Sequence, residues 1–223
     1  MNTYISIVLA VFASLFPVVN PLGGAPVFYQ MMRAAPDAVR ARMALKIAVY
    51  GFALLLGSMV LGSHILTFFG ISLPVLRVAG GLVVTVVGWQ LLHQGAAMPE
   101  PKDHHTSTPP DAGQFEDLAF YPLTMPLTVG PGSIATAIAL GSQGGTPASE
   151  GMAALSLSAI AALLGLFAVC LCIFIAYRHA DKLERVLGRV GTNILVRLFA
   201  FILLCIGLQI VWTGLSQLII DLR

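Results

Sequence analysis

The chain has 223 residues, 57% of them hydrophobic and only 10% charged, and a mean hydropathy of +0.89. Soluble domains carry roughly a quarter charged residues, so this balance marks an integral membrane protein; at about 20 residues per crossing, roughly six helices fit and no sizeable soluble domain does. A formal net charge of +2, with no basic patch outside the loops, excludes nucleic acid as a partner.

The N-terminal stretch MNTYISIVLAVFASLFP lacks a basic n-region and reads as a retained helix, not a cleaved leader. The first apolar run covers about residues 3–32. It is longer than a hydrocarbon core of ~30 Å needs at 1.5 Å per residue, so it must tilt, kink or split. Further runs cover about 44–68 and 73–93. The stretch GAAMPEPKDHHTSTPPDAGQFED follows, the only long polar segment, and then runs at about 118–142, 152–176 and 193–218. The expected architecture is all-α: one transmembrane domain over 1–223, with a first repeat at about 1–95, a linker at about 96–116 and a second repeat at about 117–223. Six helices place Arg33, Arg40, Arg42, Lys46, Lys102, Arg178, Lys182, Arg185, Arg189 and Arg197 on one side and leave Arg77 and Arg223 on the other. Positive charge collects on the cytoplasmic side, so both termini are expected outside the cytoplasm.

Two of the runs are interrupted in the same way. FPVVNPLGGAPVF (16–28) and YPLTMPLTVGPGS (121–133) align without a gap, pairing Phe16 with Tyr121, Pro17 with Pro122, Pro21 with Pro126, Leu22 with Leu127 and Pro26 with Pro131. Proline removes an amide donor and clashes with the preceding turn, so helices 1 and 4 should break at Pro21, Pro26, Pro126 and Pro131. A repeat of three helices has odd parity, and its two copies must insert in opposite senses. The third and sixth runs agree: Arg77 and Arg197 each open a stretch that reaches a Gly-x-Gln, at Gln90 and Gln209. Inverted repeats with paired, interrupted helices point to a secondary transporter whose site lies near the membrane midplane.

Pro26 and Pro131 each suit the first turn of a second half-helix. The amides of such a start favour a carboxylate, and broken carbonyls at the opposing end favour an ammonium, so a small zwitterion fits both poles. The expected substrate contacts are Asn20, Gly23, Gly24, Thr124, Thr128, Gly130, Gly132 and Ser133, with Thr136 one turn on. Their alternative use is to cap the freed backbone. Arg77, Gln90 and Gln209 are candidates for a gate or pathway; a snorkelling arginine and interhelical hydrogen bonds are the plainer alternatives. The small-residue face Gly81, Thr85, Gly88 reads as close helix packing, with a homo-oligomer as a second use.

No Asp or Glu falls inside a helix, which counts against a metal carrier and against strong ion coupling. Proton or sodium coupling through Asn20, Tyr50 or carbonyls stays open. Cys170, Cys172 and Cys205 sit in apolar runs and read as core residues. Asp103, His104 and His105 share the linker and read as a solvated loop, so no metal and no cofactor is expected. No nucleophile–base pair is evident, and an enzyme is not expected.

NPLGGAP (20–26), PLTVGPGSI (126–134) and LRVAGG (76–81) resemble the signatures of the MarC family. That family is also described as a neutral amino acid transporter family, grouped with LysE-like exporters. The resemblance covers the whole chain. It implies a multi-pass protein of a bacterial or archaeal inner membrane that carries small neutral amino acids such as glycine or alanine, as an exporter or otherwise. Members carry Asp or Asn at the position of Asn20, and this chain has the uncharged residue. The alternatives are an ion or metal carrier and a membrane protein that does not transport.

Overall fold

The computed structural model describes residues 3–94, 118–143 and 152–221. The linker with Asp103, His104 and His105 lies outside the described residues. Helices α1 (Thr3–Val19) and α2 (Pro21–Met31) are followed by α3 (Asp37–Phe68) and α4 (Leu73–Gln94). The second half consists of α5 (Ala119–Thr128), α6 (Pro131–Gln143), α7 (Met152–Arg178) and α8 (Ala180–Asp221). Among the described residues there is no strand.

Four of these helices are long and apolar enough to cross a bilayer alone, within 37–68, 73–93, 156–178 and 190–221. Two bent pairs pass only jointly: α1 with α2, bent by 40°, and α5 with α6, bent by 69°. If each pair counts as one span, the total rises to six. The last span begins at Val190, ahead of the expected residue 193, because α8 is two helical pieces joined at Gly188 (φ 64, ψ 179). A left-handed φ followed by an extended ψ is backbone that only glycine adopts at low cost, and it turns the short basic piece away from the span behind it.

Helix α4 packs mainly on α8. The other contacts pair α1 with α7, α5 with α3, α3 with α6, α7 with α2, α4 with α6, α8 with α2, and α3 with α7, with smaller ones between α1 and α6, α2 and α5, α1 and α8, and α7 and α8. Lipid tails are as apolar as leucine, so close backbone approach, not hydrophobicity, must hold such helices together. A Cβ added to Gly207 would stand 2.5 Å from Thr85 N, and one on Gly88 would stand 2.7 Å from Leu204 N. The small-residue face at Gly81, Thr85 and Gly88 is thus occupied by α8 of the same chain.

The fully buried side chains Leu15, Phe28, Met43, Ile47, Leu55, Leu123, Leu166, Ile173 and Tyr177 gather α1, α2, α3, α5 and α7 into one core. Cys170 belongs to it, Cys172 is partly covered, and Cys205 is exposed on the outside of the bundle; of the three cysteines expected in the core, one is there. Leu61, Phe167, Phe201 and Trp212 are exposed, as expected where the solvent is lipid. At the basic end, Arg40 donates to Ala35 O at 2.9 Å and pairs with Asp37 at 3.2 Å, while Arg178 approaches the same carboxylate at 3.6 Å. These contacts tie the start of α3 to the end of α7, so the cationic ends of both helices face the same way.

Candidate functional site

At the first break Asn20 sits in the left-handed region (φ 51, ψ 57) and caps α2, its Oδ1 accepting from Gly23 N at 3.1 Å. Asparagine tolerates that backbone better than a branched residue, and its short amide reaches the first turn. Pro21 follows at the first helical position, where its missing N–H costs nothing. Gly24 N bonds Asn20 O at 3.0 Å, so the amides of Gly23 and Gly24, two of the expected substrate contacts, are taken up by Asn20 itself. What remains is Asn20 Nδ2, for which no partner is found among the described residues.

The second break is built differently. The residue aligned with Pro21 is Pro126, but its predecessor is Met125, whose thioether is only a weak acceptor and whose backbone is extended (φ −120, ψ 120). The chain does not restart a helix there. It winds in wide turns through α5, with Leu123 N bonded to Leu118 O at 3.2 Å and Val129 N to Thr124 O at 2.8 Å. Helix α6 opens only at Pro131, one turn later than the aligned register, and Pro26, the partner of Pro131, lies inside α2. The expectation that Pro26 opens a half-helix is corrected: Pro21 does so, because the Asn20 cap starts the helix at once. Gly132 and Ser133 stand in the first turn of α6, where N–H groups have no intrahelical acceptor.

The two breaks meet. A cavity of about 480 Å³ is lined by Asn20, Gly23 and Gly24 from the first and by Pro126, Thr128, Gly130, Pro131, Gly132 and Ser133 from the second. Val83, Val84, Val87 and Gln90 of α4 and Leu203 of α8 complete the wall. Asn20, Thr128 and Ser133 are buried in the protein. No ionisable side chain lines this cavity among the described residues. Such a wall offers hydrogen bonds but no counter-charge, so a net charge would be buried there uncompensated.

Several expected residues stand elsewhere. Thr124 is fully buried and donates to Ala119 O at 2.6 Å, away from the cavity. Pro21 lines a smaller apolar recess of about 210 Å³ with Phe16, Leu22, Phe199 and Ile202. Arg77 and Gln209 belong to a second cavity of about 370 Å³, which Thr136 also lines.

One residue that sequence reasoning passed over lies behind both breaks. Tyr177, at the end of α7, is 2% exposed; its hydroxyl is 2.8 Å from Thr128 Oγ1, and its ring stacks on Phe28 of α2 with centroids 4.8 Å apart. A Cβ on Gly24 would stand 2.6 Å from the same hydroxyl. The signal in the sequence was weak: one tyrosine closing CIFIAYR, where an interfacial aromatic is the ordinary expectation. Thr128 also donates to Leu123 O at 2.7 Å, and Ser133 to Gly130 O at 2.9 Å, so each hydroxyl is oriented by the backbone and keeps its oxygen as an acceptor.

Comparison with known proteins gives a consistent picture. The profile of the MarC family integral membrane proteins matches residues 5–219. Proteins named UPF0056 inner membrane protein MarC in Escherichia coli strain K12 and in Shigella flexneri are each 32% identical to this chain over 206 residues, which is 92% of either sequence. No solved structure matches the chain.

Proposed function

The chain belongs to the MarC family of integral membrane proteins, and from that premise we propose that it is a secondary carrier for small neutral amino acids of the glycine and alanine kind. The observation that carries this is the convergence of two separately broken helices on one uncharged, polar-edged cavity. Irregular backbone at membrane depth is tolerated where it lines a cavity, and paired breaks of this kind are how carriers expose backbone to a solute. In this proposal a carboxylate is received at the first turn of α6, near the amides of Gly132 and Ser133. The ammonium is received by hydroxyl and carbonyl oxygens, Thr128 Oγ1 among them.

The packing supports an inverted repeat. Exchanging α1–α4 for α5–α8 turns the α1–α7 contact into α5–α3, α3–α6 into α7–α2, α4–α6 into α8–α2 and α1–α6 into α5–α2, all of which occur, while α4–α8 and α3–α7 map onto themselves; only the small α1–α8 and α7–α8 contacts lack a counterpart of similar extent. The same exchange relates the two cavities in part: both abut α4 and α8, one being completed by α1 and α6 and the other by α2 and α5 together with the first turn of α6. A carrier that alternates between two sides needs such a pair of half-paths. By the positive-inside rule the charge distribution supports a second cavity, with Arg77, that faces outward across the inner membrane, with both termini on that side.

The test is uptake of radiolabelled glycine and alanine into proteoliposomes, with and without a proton gradient. Saturable uptake, competed by unlabelled neutral amino acids, is the expected result, and its response to the gradient identifies the coupling. Rates equal to those of empty liposomes across a panel of neutral amino acids would remove the proposal.

A further inference from the structure

The second cavity carries a feature that the first lacks. Arg77 is the one ionisable side chain lining either cavity among the described residues. No carboxylate among the described residues comes within ion-pair reach of it; its bond is to Gln217 Oε1 of α8, a neutral group that occupies one of five guanidinium donors. A cation held at a membrane helix end without a counter-ion keeps donors for an oxyanion, and a guanidinium matches a carboxylate in shape as well as charge. Around it stand acceptors of the opposite kind. Thr136 and Thr213 spend their hydroxyl protons on Gly132 O and Gln209 O, at 2.9 and 2.8 Å, which leaves their oxygens free to accept. Ser14 and the Gln209 amide line the same space.

We propose that this cavity is a second solute site, in which Arg77 binds the carboxylate of a small zwitterion and the oxygens of Ser14, Thr136 and Thr213 take its ammonium. Gln209 stands in it as Gln90 stands in the first cavity, each at the end of a Gly-x-Gln. Arg77 and Gln90 are separated by ~20 Å of α4 at 1.5 Å per residue, so the two sites are stations along one helix. As a station on a transport path this rests on the carrier proposed above; as a binding site it does not. The oxyanion has a second source, the phosphate of a lipid headgroup, toward which a terminal arginine can snorkel.

The test reads the guanidinium directly. The full-length protein, purified without added lipid, is treated with phenylglyoxal, and modification of Arg77 is followed by peptide mass spectrometry with the exposed Arg197 as internal reference. Alanine and propionate should each slow Arg77 about threefold at twice their dissociation constant, since the free fraction falls with 1 + [L]/Kd. Arg197 should be unaffected, and propionamide, which lacks the charge, should protect nothing. Equal rates with and without carboxylate would overturn the site. So would protection by phosphatidylglycerol alone, to which propionate adds nothing. Protection by propionate in a protein that shows no amino acid uptake would keep the site and remove the carrier; uptake without protection would do the reverse.

Discussion

The hydroxyls of Tyr177 and Thr128 lie 2.8 Å apart in the buried interior, and the ring that carries the first is stacked on Phe28 of α2. One side chain of an unbroken helix, α7, is therefore bonded to the second break and packed on the helix that follows the first. Loops of broken helix have few backbone bonds of their own to fix their position. Here a rigid third element sets the distance between them.

Tyr177→Phe should cost about 1 kcal/mol, the net worth of one hydrogen bond, because Thr128 keeps its bond to Leu123 O and the ring stack is retained. Tyr177→Ala should cost about 3–5 kcal/mol, since it also opens a large hole in the core. Thermal unfolding of both variants in detergent decides this. Equal losses would mean that the hydroxyl is the whole effect and the stack is idle.

Gly24→Ala places a methyl 2.6 Å from Tyr177 Oη and should destabilise by about 1–3 kcal/mol through overpacking. The same substitution in a Tyr177→Phe background meets ring carbon at 3.4 Å, an ordinary contact, and should cost clearly less. A double-mutant cycle measures the difference; a coupling energy near zero would place the clash elsewhere.

Asn20→Gly and Asn20→Ala separate the two uses of Asn20. Glycine keeps the left-handed backbone and loses a cap for only a few tenths of a kcal/mol, whereas alanine adds about 1–2 kcal/mol of backbone cost. If Nδ2 contacts the solute, Asn20→Gly should fold and yet lose about tenfold in apparent affinity, the equivalent of ~1.4 kcal/mol. Unchanged uptake by a folded Asn20→Gly protein would leave Asn20 with capping alone.

The α4–α8 seam has its own test. Gly207→Ala would press a methyl onto Thr85 N at 2.5 Å, a backbone atom that cannot rotate aside, and should cost about 1–3 kcal/mol. Gly57→Ala, where no neighbour lies within 4 Å of the added atom, should leave stability unchanged or slightly raised. Similar melting temperatures for the two variants would contradict a seam held by backbone approach.

The prolines and glycines of 16–28 and 121–133 were enough to locate both breaks, because proline interrupts a helix whatever surrounds it. Their alignment was enough to suggest that Asn20, Gly23, Gly24, Thr128, Gly130, Gly132 and Ser133 converge, which the cavity lining matches. Pro131 opens α6 as expected, but that Pro21 and not Pro26 opens α2 was not legible. That choice turned on Asn20 against Met125, a capping side chain against one with only a weak acceptor, and the wide winding of α5 has no residue pattern that announces it. Thr124 looked like a ligand by type, and only its bond to Ala119 O shows it turned inward. Gly188, among basic residues, looked like a loop because positive φ inside a helical stretch leaves no mark in hydropathy.

The central claim is that the cavity between the breaks holds the transported solute, and Gly130→Cys tests it most directly. An added Cβ there meets only Pro126 O, at 3.2 Å, a tight contact that needs the neighbouring backbone to ease by a few tenths of an ångström. The substitution is made in a chain whose Cys170, Cys172 and Cys205 are replaced by alanine, reconstituted and exposed to a small thiol-alkylating reagent during alanine uptake. Alkylation of the new thiol should abolish uptake, and saturating alanine should slow the alkylation. A thiol that is alkylated at the same rate with and without alanine, while uptake continues, would contradict the claim.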